Sequence, residues 1–111
     1  MDISPIDVRY YQTNSGRCPF KEWLDSLGSA EQVTVDARLT RVRRGLFGDS
    51  KYLGGSVYEL KFHLGPGYRV YYAREGKAVI ILLQAGDKSS QSTDIEAARV
   101  FWLDYLRRSK K

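Results

Sequence analysis

The stretch from residue 57 to residue 88 constrains the fold more than any other, because three runs rich in β-branched and aromatic residues follow one another across glycine-containing turns. The runs cover 57–64, 68–74 and 78–85, with Gly65-Pro66-Gly67 and Glu75-Gly76-Lys77 between them. Runs of this kind, separated by short turns, predict a three-stranded antiparallel meander. In the first run Tyr58, Leu60, Phe62 and Leu64 alternate with Glu59, Lys61 and His63, so one face is apolar and the other charged. The third run is apolar on both parities, which predicts an inner strand covered on two sides.

The first turn decides which side chains meet. A loop made only of Gly65, Pro66 and Gly67 sets Leu64 opposite Tyr68, Phe62 opposite Val70 and Leu60 opposite Tyr72. On the polar parity it sets His63 opposite Arg69 and Lys61 opposite Tyr71. A slip of one residue inverts every side chain on a strand, and the hydrophobic pattern opposes it. The expectation is therefore an open face on which a His, a Lys, an Arg and a Tyr converge.

The flanking segments supply the layers. Residues 8–12 read as a first strand, ended by Asn14-Ser15-Gly16. Pro19 suits a first helical position, and Phe20, Trp23, Leu24 and Leu27 form one stripe of a short helix that Gly28 stops. Ser29 with Gln32 resembles a capping box for a second helix, with Val35, Leu39, Val42 and Leu46 as its buried stripe and Gly45 at its end. Residues 45–56, rich in Gly, Ser and Asp, read as a connection. Thr93 with Glu96 suggests a last helix, which turns Ile95, Ala98, Trp102, Tyr105 and Leu106 to the sheet. The fold class expected is α+β: one domain over 1–111 with a small antiparallel or mixed sheet, an N-terminal strand, a helical hairpin, a three-strand meander and a C-terminal helix.

Composition narrows the function classes. A lone Cys18 permits no intrachain disulfide and no cysteine-based zinc site, and neither a metal nor another cofactor is expected. No signal-like or membrane-length apolar run is present, so the expected location is cytoplasmic, with no membrane partner. Eighteen Lys and Arg against 13 Asp and Glu give a net charge of +5, which attracts polyanions. The second helix carries Arg38, Arg41, Arg43 and Arg44. Arg38, Arg41 and Arg44 are candidates for tracking a nucleic-acid backbone; the plainer reading is a solvated face with cations near the helix C-terminus.

The order of elements, with Glu59-Leu60-Lys61, Gly67-Tyr68-Arg69-Val70-Tyr71-Tyr72 and Gly86-Asp87-Lys88-Ser89, resembles the RelE/ParE toxin superfamily over about residues 10–106. It is most similar to the phage-derived, HigB-like branch of addiction-module killer proteins. The resemblance implies a toxin of a type II toxin–antitoxin system, neutralised by a cognate antitoxin that is expected to be a small helix-turn-helix protein. It also implies, for the RelE-type members, a metal-free endonuclease that cuts mRNA on the ribosome and so stops translation. ParE relatives share the fold and instead inhibit DNA gyrase, and a third alternative is a degenerate member that only binds its antitoxin.

Carried over by position, the catalytic candidates are Lys61, His63, Arg69 and Lys88, with Tyr71 as a residue that stacks on a base or supplies a proton. Cleavage needs a base for the 2′-OH, cations for the charge gathering on the phosphate, and an acid for the leaving oxygen. His63 is the single histidine, and imidazole suits either proton role at neutral pH. Arg69 suits a bidentate phosphate clamp, and Lys61 and Lys88 supply further positive charge. The departure from the pattern is at 89–94, which holds neither the Tyr nor the His that RelE-like toxins often carry there.

Overall fold

Side chains that suit a pleated, half-buried surface dominate the strand runs, and the runs pair accordingly. The computed structural model describes residues 5–109. Along it come β1 (Asp7–Tyr10), α1 (Pro19–Asp25), α2 (Ser29–Arg43), β2 (Ser50–Gly54), β3 (Val57–Lys61), β4 (Arg69–Glu75), β5 (Val79–Gly86) and α3 (Gln91–Ser109), with a 3-10 turn at Lys88–Ser90 before α3. The five strands lie in the order β1-β5-β4-β3-β2. β1 runs parallel to β5, and every other neighbouring pair is antiparallel. The α+β class, the helical hairpin, the meander and the C-terminal helix are those the sequence leads one to expect.

The meander has one strand more than expected. β2 occupies part of the 45–56 connection and pairs with β3 along the sheet edge. Most of its residues are exposed or only half-buried, so no apolar alternation marks it in the sequence. An edge strand with one neighbour need bury little, and hydrogen bonding carries it.

The two faces of β5 feed two cores, and an irregularity between Leu82 and Gln84 shifts the parity so that Ala85 joins Ile80 and Leu82. Ile80, Leu82 and Ala85 pack with Phe20, Leu24, Val35, Leu39 and Val42 beneath the helical hairpin. Ile81 and Leu83 pack with Ala98 and Trp102 of α3 on the other face. Phe20, Leu39 and Leu82 are at most 1% exposed, and burying each contributes roughly 2 kcal/mol. The inner-strand reading of this run therefore holds.

Helix ends differ from the expected boxes. Gly28 is the N-cap of α2, so Ser29 is already helical, and Gln32 Nε2 instead donates to Leu27 O at 3.0 Å. At the far end Gly45 adopts φ +84°, and the amides of Gly45 and Leu46 return to Val42 O (2.8 Å) and Arg41 O (2.9 Å). That pairing is a Schellman motif, which needs a residue tolerant of positive φ. It turns the chain away from the core, so Leu46 is 55% exposed rather than buried. Thr93 lies inside α3; the cap is supplied earlier by Asp87, whose Oδ1 accepts from Ser89 N at 2.8 Å.

Candidate active site

The β3–β4 turn is longer than a three-residue loop. Lys61 pairs with Arg69, Leu60 with Val70 and Glu59 with Tyr71, and Phe62 N donates to Tyr68 O at 2.9 Å. The register is shifted by two residues from the one expected. An even shift keeps every side chain on its face but changes every partner. Within the longer loop Gly65 and Gly67 adopt φ +56° and +80°, and the Tyr68 ring folds over Gly65. Leu64 and Tyr68 then reach the hairpin-side core, with Tyr68 edge-on to Trp23 at 5.6 Å. His63, expected opposite Arg69, lies beyond the ladder in that loop.

The polar parity is not an open face. Glu59, Arg69 and Tyr71 lie under α3, whose first turn is itself polar at this end. Gln91 bonds to Glu59, and Asp94, bonded to Ser90 of the preceding 3-10 turn, places its charge near Tyr71. Farther along, apolar Val57, Ala73 and Ile81 meet Ala98 and Trp102. The helix thus matches the sheet's change from polar to apolar along one face.

Arg69 and Glu59 are 6% and 5% exposed. Arg69 Nε stands 2.9 Å from Glu59 Oε1, an ion pair by distance in which the Nε–H finds no well-aligned acceptor. Arg69 Nη1 donates to Gly67 O at 2.8 Å, and Gln91 Nε2 donates to Glu59 Oε1 at 2.8 Å. β3, β4, the glycine loop and α3 are tied together by one buried charge pair. The expected free guanidinium is therefore withdrawn from solvent and already partnered, a correction to Arg69 as an open phosphate clamp.

Tyr71 is fully buried, and its hydroxyl has no hydrogen-bond partner among the described residues. Burial first, and then the negative charges of Glu59 and Asp94, push its phenol pKa upward. It presents no face for a base to stack on, which corrects its expected exposure. Asp94 is raised as well, mainly by burial and further by Asp87, against the lowering effect of the Ser90 Oγ bond at 2.5 Å. Its carboxylate sits so close to β5 that a Cβ on Gly86 would collide with Asp94 Oδ2.

The reachable groups form a rim at this end of the sheet. Lys61 is half-buried at the end of β3, and Lys88 is exposed just beyond β5. Lys88 N donates to Pro66 O at 3.4 Å, which draws the two loops together. His63 is exposed, and its Nε2 lies 2.8 Å from Asp49 Oδ2 at the start of β2. Asp49 O in turn accepts from Lys61 N at 2.9 Å. Asp87 is held below the usual carboxylate range by its bonds from Ser89.

The arginines of α2 divide. Arg38 is buried and donates to Phe47 O, Asp49 O and Lys61 O at 2.8–3.1 Å, with its guanidinium 4.9 Å from the Phe62 ring. Burial is the main influence lowering its pKa, followed by Arg41. It fastens the 47–49 segment to the end of β3 and is not available to a phosphate backbone, contrary to expectation. Arg41 and Arg44 are exposed.

Sequence reasoning missed Asp49, Gln91 and Asp94 and placed Glu59 on the charged face of β3 without its buried partner. The one signal available was Gly86: a glycine ending an otherwise bulky strand marks a close approach. Among the described residues, no group of three or more His, Cys, Asp or Glu side chains is placed to hold a metal ion, and no helix is long and apolar enough to cross a membrane.

Residues 22–100 match the family described as phage derived protein Gp49-like (DUF891). The chain belongs to the Gp49-like family. The match spans α1 to most of α3 and so includes every residue of the rim and of the buried pair. A relative by sequence is an uncharacterized protein of Haemophilus influenzae strain Rd, 38% identical over 82 residues that make up 73% of this chain and 83% of that protein. Among solved structures, a mutant of the E. coli toxin RelE in the free state superposes with a TM-score of 0.56 at 20% identity, covering 83% of this chain and 96% of RelE. This Gp49-like chain has the RelE fold.

Proposed function

We propose that this protein is the toxin of a type II toxin–antitoxin pair, of the HigB-like branch, and that it cuts mRNA on the ribosome without a metal ion. The observation that supports the reading best is the rim itself: Lys61, His63 and Lys88, from three segments, gather at one end of a RelE-type sheet in a basic chain. In this reading Asp49, 2.8 Å from His63 Nε2, favours the tautomer with its proton on that nitrogen. Nδ1 is then free to take the 2′-OH proton. The 2′-oxygen displaces the 5′-oxygen at phosphorus, and Lys61 and Lys88 stabilise the charge that develops on the scissile phosphate. The departing 5′-oxygen takes its proton from a lysine ammonium of the rim. Arg69 acts as a positioning residue through Glu59 and the Gly67 carbonyl. The antitoxin is a small helix-turn-helix protein whose binding stops the reaction.

The test is induction in growing cells followed by mapping of transcript 5′ ends. New ends at ribosome-occupied codons, lost in Lys61→Ala and His63→Ala, support the reading; arrest with intact transcripts refutes it. One observation favours a second reading. Arg69 is paired beneath α3, and 89–94 offers neither Tyr nor His, so a member that does not cut RNA is the alternative. Such a member would arrest growth by binding a protein such as gyrase, or would keep only its antitoxin. Gyrase recovered with the toxin, together with trapped DNA breaks, distinguishes it.

A further inference from the structure

A second aromatic and basic arrangement lies on the other face of the sheet, at its β2 edge. Tyr52, Tyr58 and Tyr72 are register partners across β2, β3 and β4, so their rings form one row. Neighbouring centroids are 4.9 and 5.2 Å apart, and Phe47 stacks on Tyr72 at 5.8 Å. Burial falls along the row: Tyr72 is 1% exposed, Tyr58 is half-buried, and Tyr52 is 57% exposed. The Arg74 guanidinium lies 4.8 Å from the Phe47 ring and 5.9 Å from the Tyr58 ring. Among the described residues that guanidinium pairs with no carboxylate.

The outermost ring is held in place. Tyr52 Oη accepts from Ser56 N at 3.3 Å across the β2–β3 turn, where Gly54, Gly55 and Ser56 all have positive φ. A fixed, uncovered ring loses little conformational freedom on binding. Cross-strand stacking explains why Tyr58 lies on Tyr72. It does not explain an exposed ring anchored by its hydroxyl at the end of a row whose inner rings, Tyr58 and Phe47, carry a guanidinium that pairs with no carboxylate among the described residues.

We propose that this row is a stacking platform for an unstacked base of single-stranded RNA, with Arg74 meeting the adjoining phosphate. Sheet-borne aromatic rings accompanied by arginine bind single strands because every base offers a π face and every linkage an anion. The net charge of +5 favours that polyanion over a neutral apolar partner. The proposal goes beyond the function above: it requires no cleavage and uses the face opposite Arg69 and Tyr71.

The experiment is fluorescence anisotropy with a short adenine-rich oligoribonucleotide whose 2′-O-methyl groups prevent cutting. Tyr52→Ala is expected to weaken binding about tenfold, and Tyr52→Trp to preserve it. Arg74→Gln is expected to make the salt dependence shallower by about one counterion. Lys61→Ala is expected to keep the Tyr52 effect while abolishing any cleavage of natural RNA, so the two proposals fail separately. No binding by the wild type overturns the platform. Equal affinity in Tyr52→Ala and the wild type also overturns it, and leaves the ring to a protein contact.

Discussion

The buried pair between Glu59 and Arg69 makes the sharpest prediction about this fold. Both side chains are 7% exposed, and the Nε–Oε1 separation is 2.9 Å. Arg69→Met leaves the Glu59 carboxylate in a site built for a cation, with Gln91 Nε2 the one side chain donating to it among the described residues. Removing one member of a buried pair strands the other charge and costs about 3–5 kcal/mol. A domain of this size has about 5–15 kcal/mol in all, so the single variant should sit near the threshold of folding. Glu59→Leu with Arg69→Met together removes both charges and should recover most of the loss, since apolar replacements of a buried pair are often neutral. The assay is urea unfolding followed by tryptophan fluorescence. Trp23 lies against the hairpin-side core and Trp102 in the α3-side core, so the signal reports on both layers. Single variants within about 0.5 kcal/mol of the wild type, the range of ordinary surface substitutions, would refute the reasoning. So would a double variant as unstable as the sum of the singles.

Three further outcomes follow from the same geometry. Arg38→Met should cost about 2–4 kcal/mol, because the carbonyls of Phe47, Asp49 and Lys61 lose a buried charged donor, whereas Arg41→Ala should change the thermal midpoint little. Gly86→Ala should destabilise strongly, since the new methyl would meet Asp94 Oδ2 and Ser90 Oγ; adding Asp94→Ala should restore part of the loss in the same unfolding assay. Asp94 has a folded pKa raised by burial, so the folded state binds its proton more readily than the unfolded chain does. Its contribution to stability therefore increases as pH falls from above the raised value towards the ordinary aspartate value, and Asp94→Asn should flatten that part of the stability–pH curve. A variant curve parallel to the wild type across this window would contradict the assignment.

What could be read beforehand follows from which forces are local. Alternation in β3, double-sided apolarity in β5 and the helical stripes of α1 and α3 are written in side-chain spacing, and these elements formed with their patterned faces buried. Their ends differ, since β3 stops at Lys61 and α3 begins at Gln91 rather than at the expected boundaries. β2 escaped because an edge strand needs little burial. The hairpin register escaped by two residues because a longer loop preserves the same faces, so the hydrophobic pattern cannot tell the two pairings apart. Arg38 and Arg69 looked like surface cations because charge in a sequence carries no sign of what will cover it. Their partners are backbone carbonyls and a glutamate that only the folded chain brings near.

The sequence alone determined the α+β layering, the positive charge and the polar parity of the meander on which Lys61 and Arg69 lie. Tertiary structure decided which of those charges water can reach. α3 brings a polar first turn down onto the polar stripe of the sheet, closing over Arg69 and Tyr71 and leaving Lys61, His63 and Lys88 at the rim. The physical reason is that faces are fixed by neighbours in the chain, whereas burial is fixed by whichever distant segment best satisfies those faces.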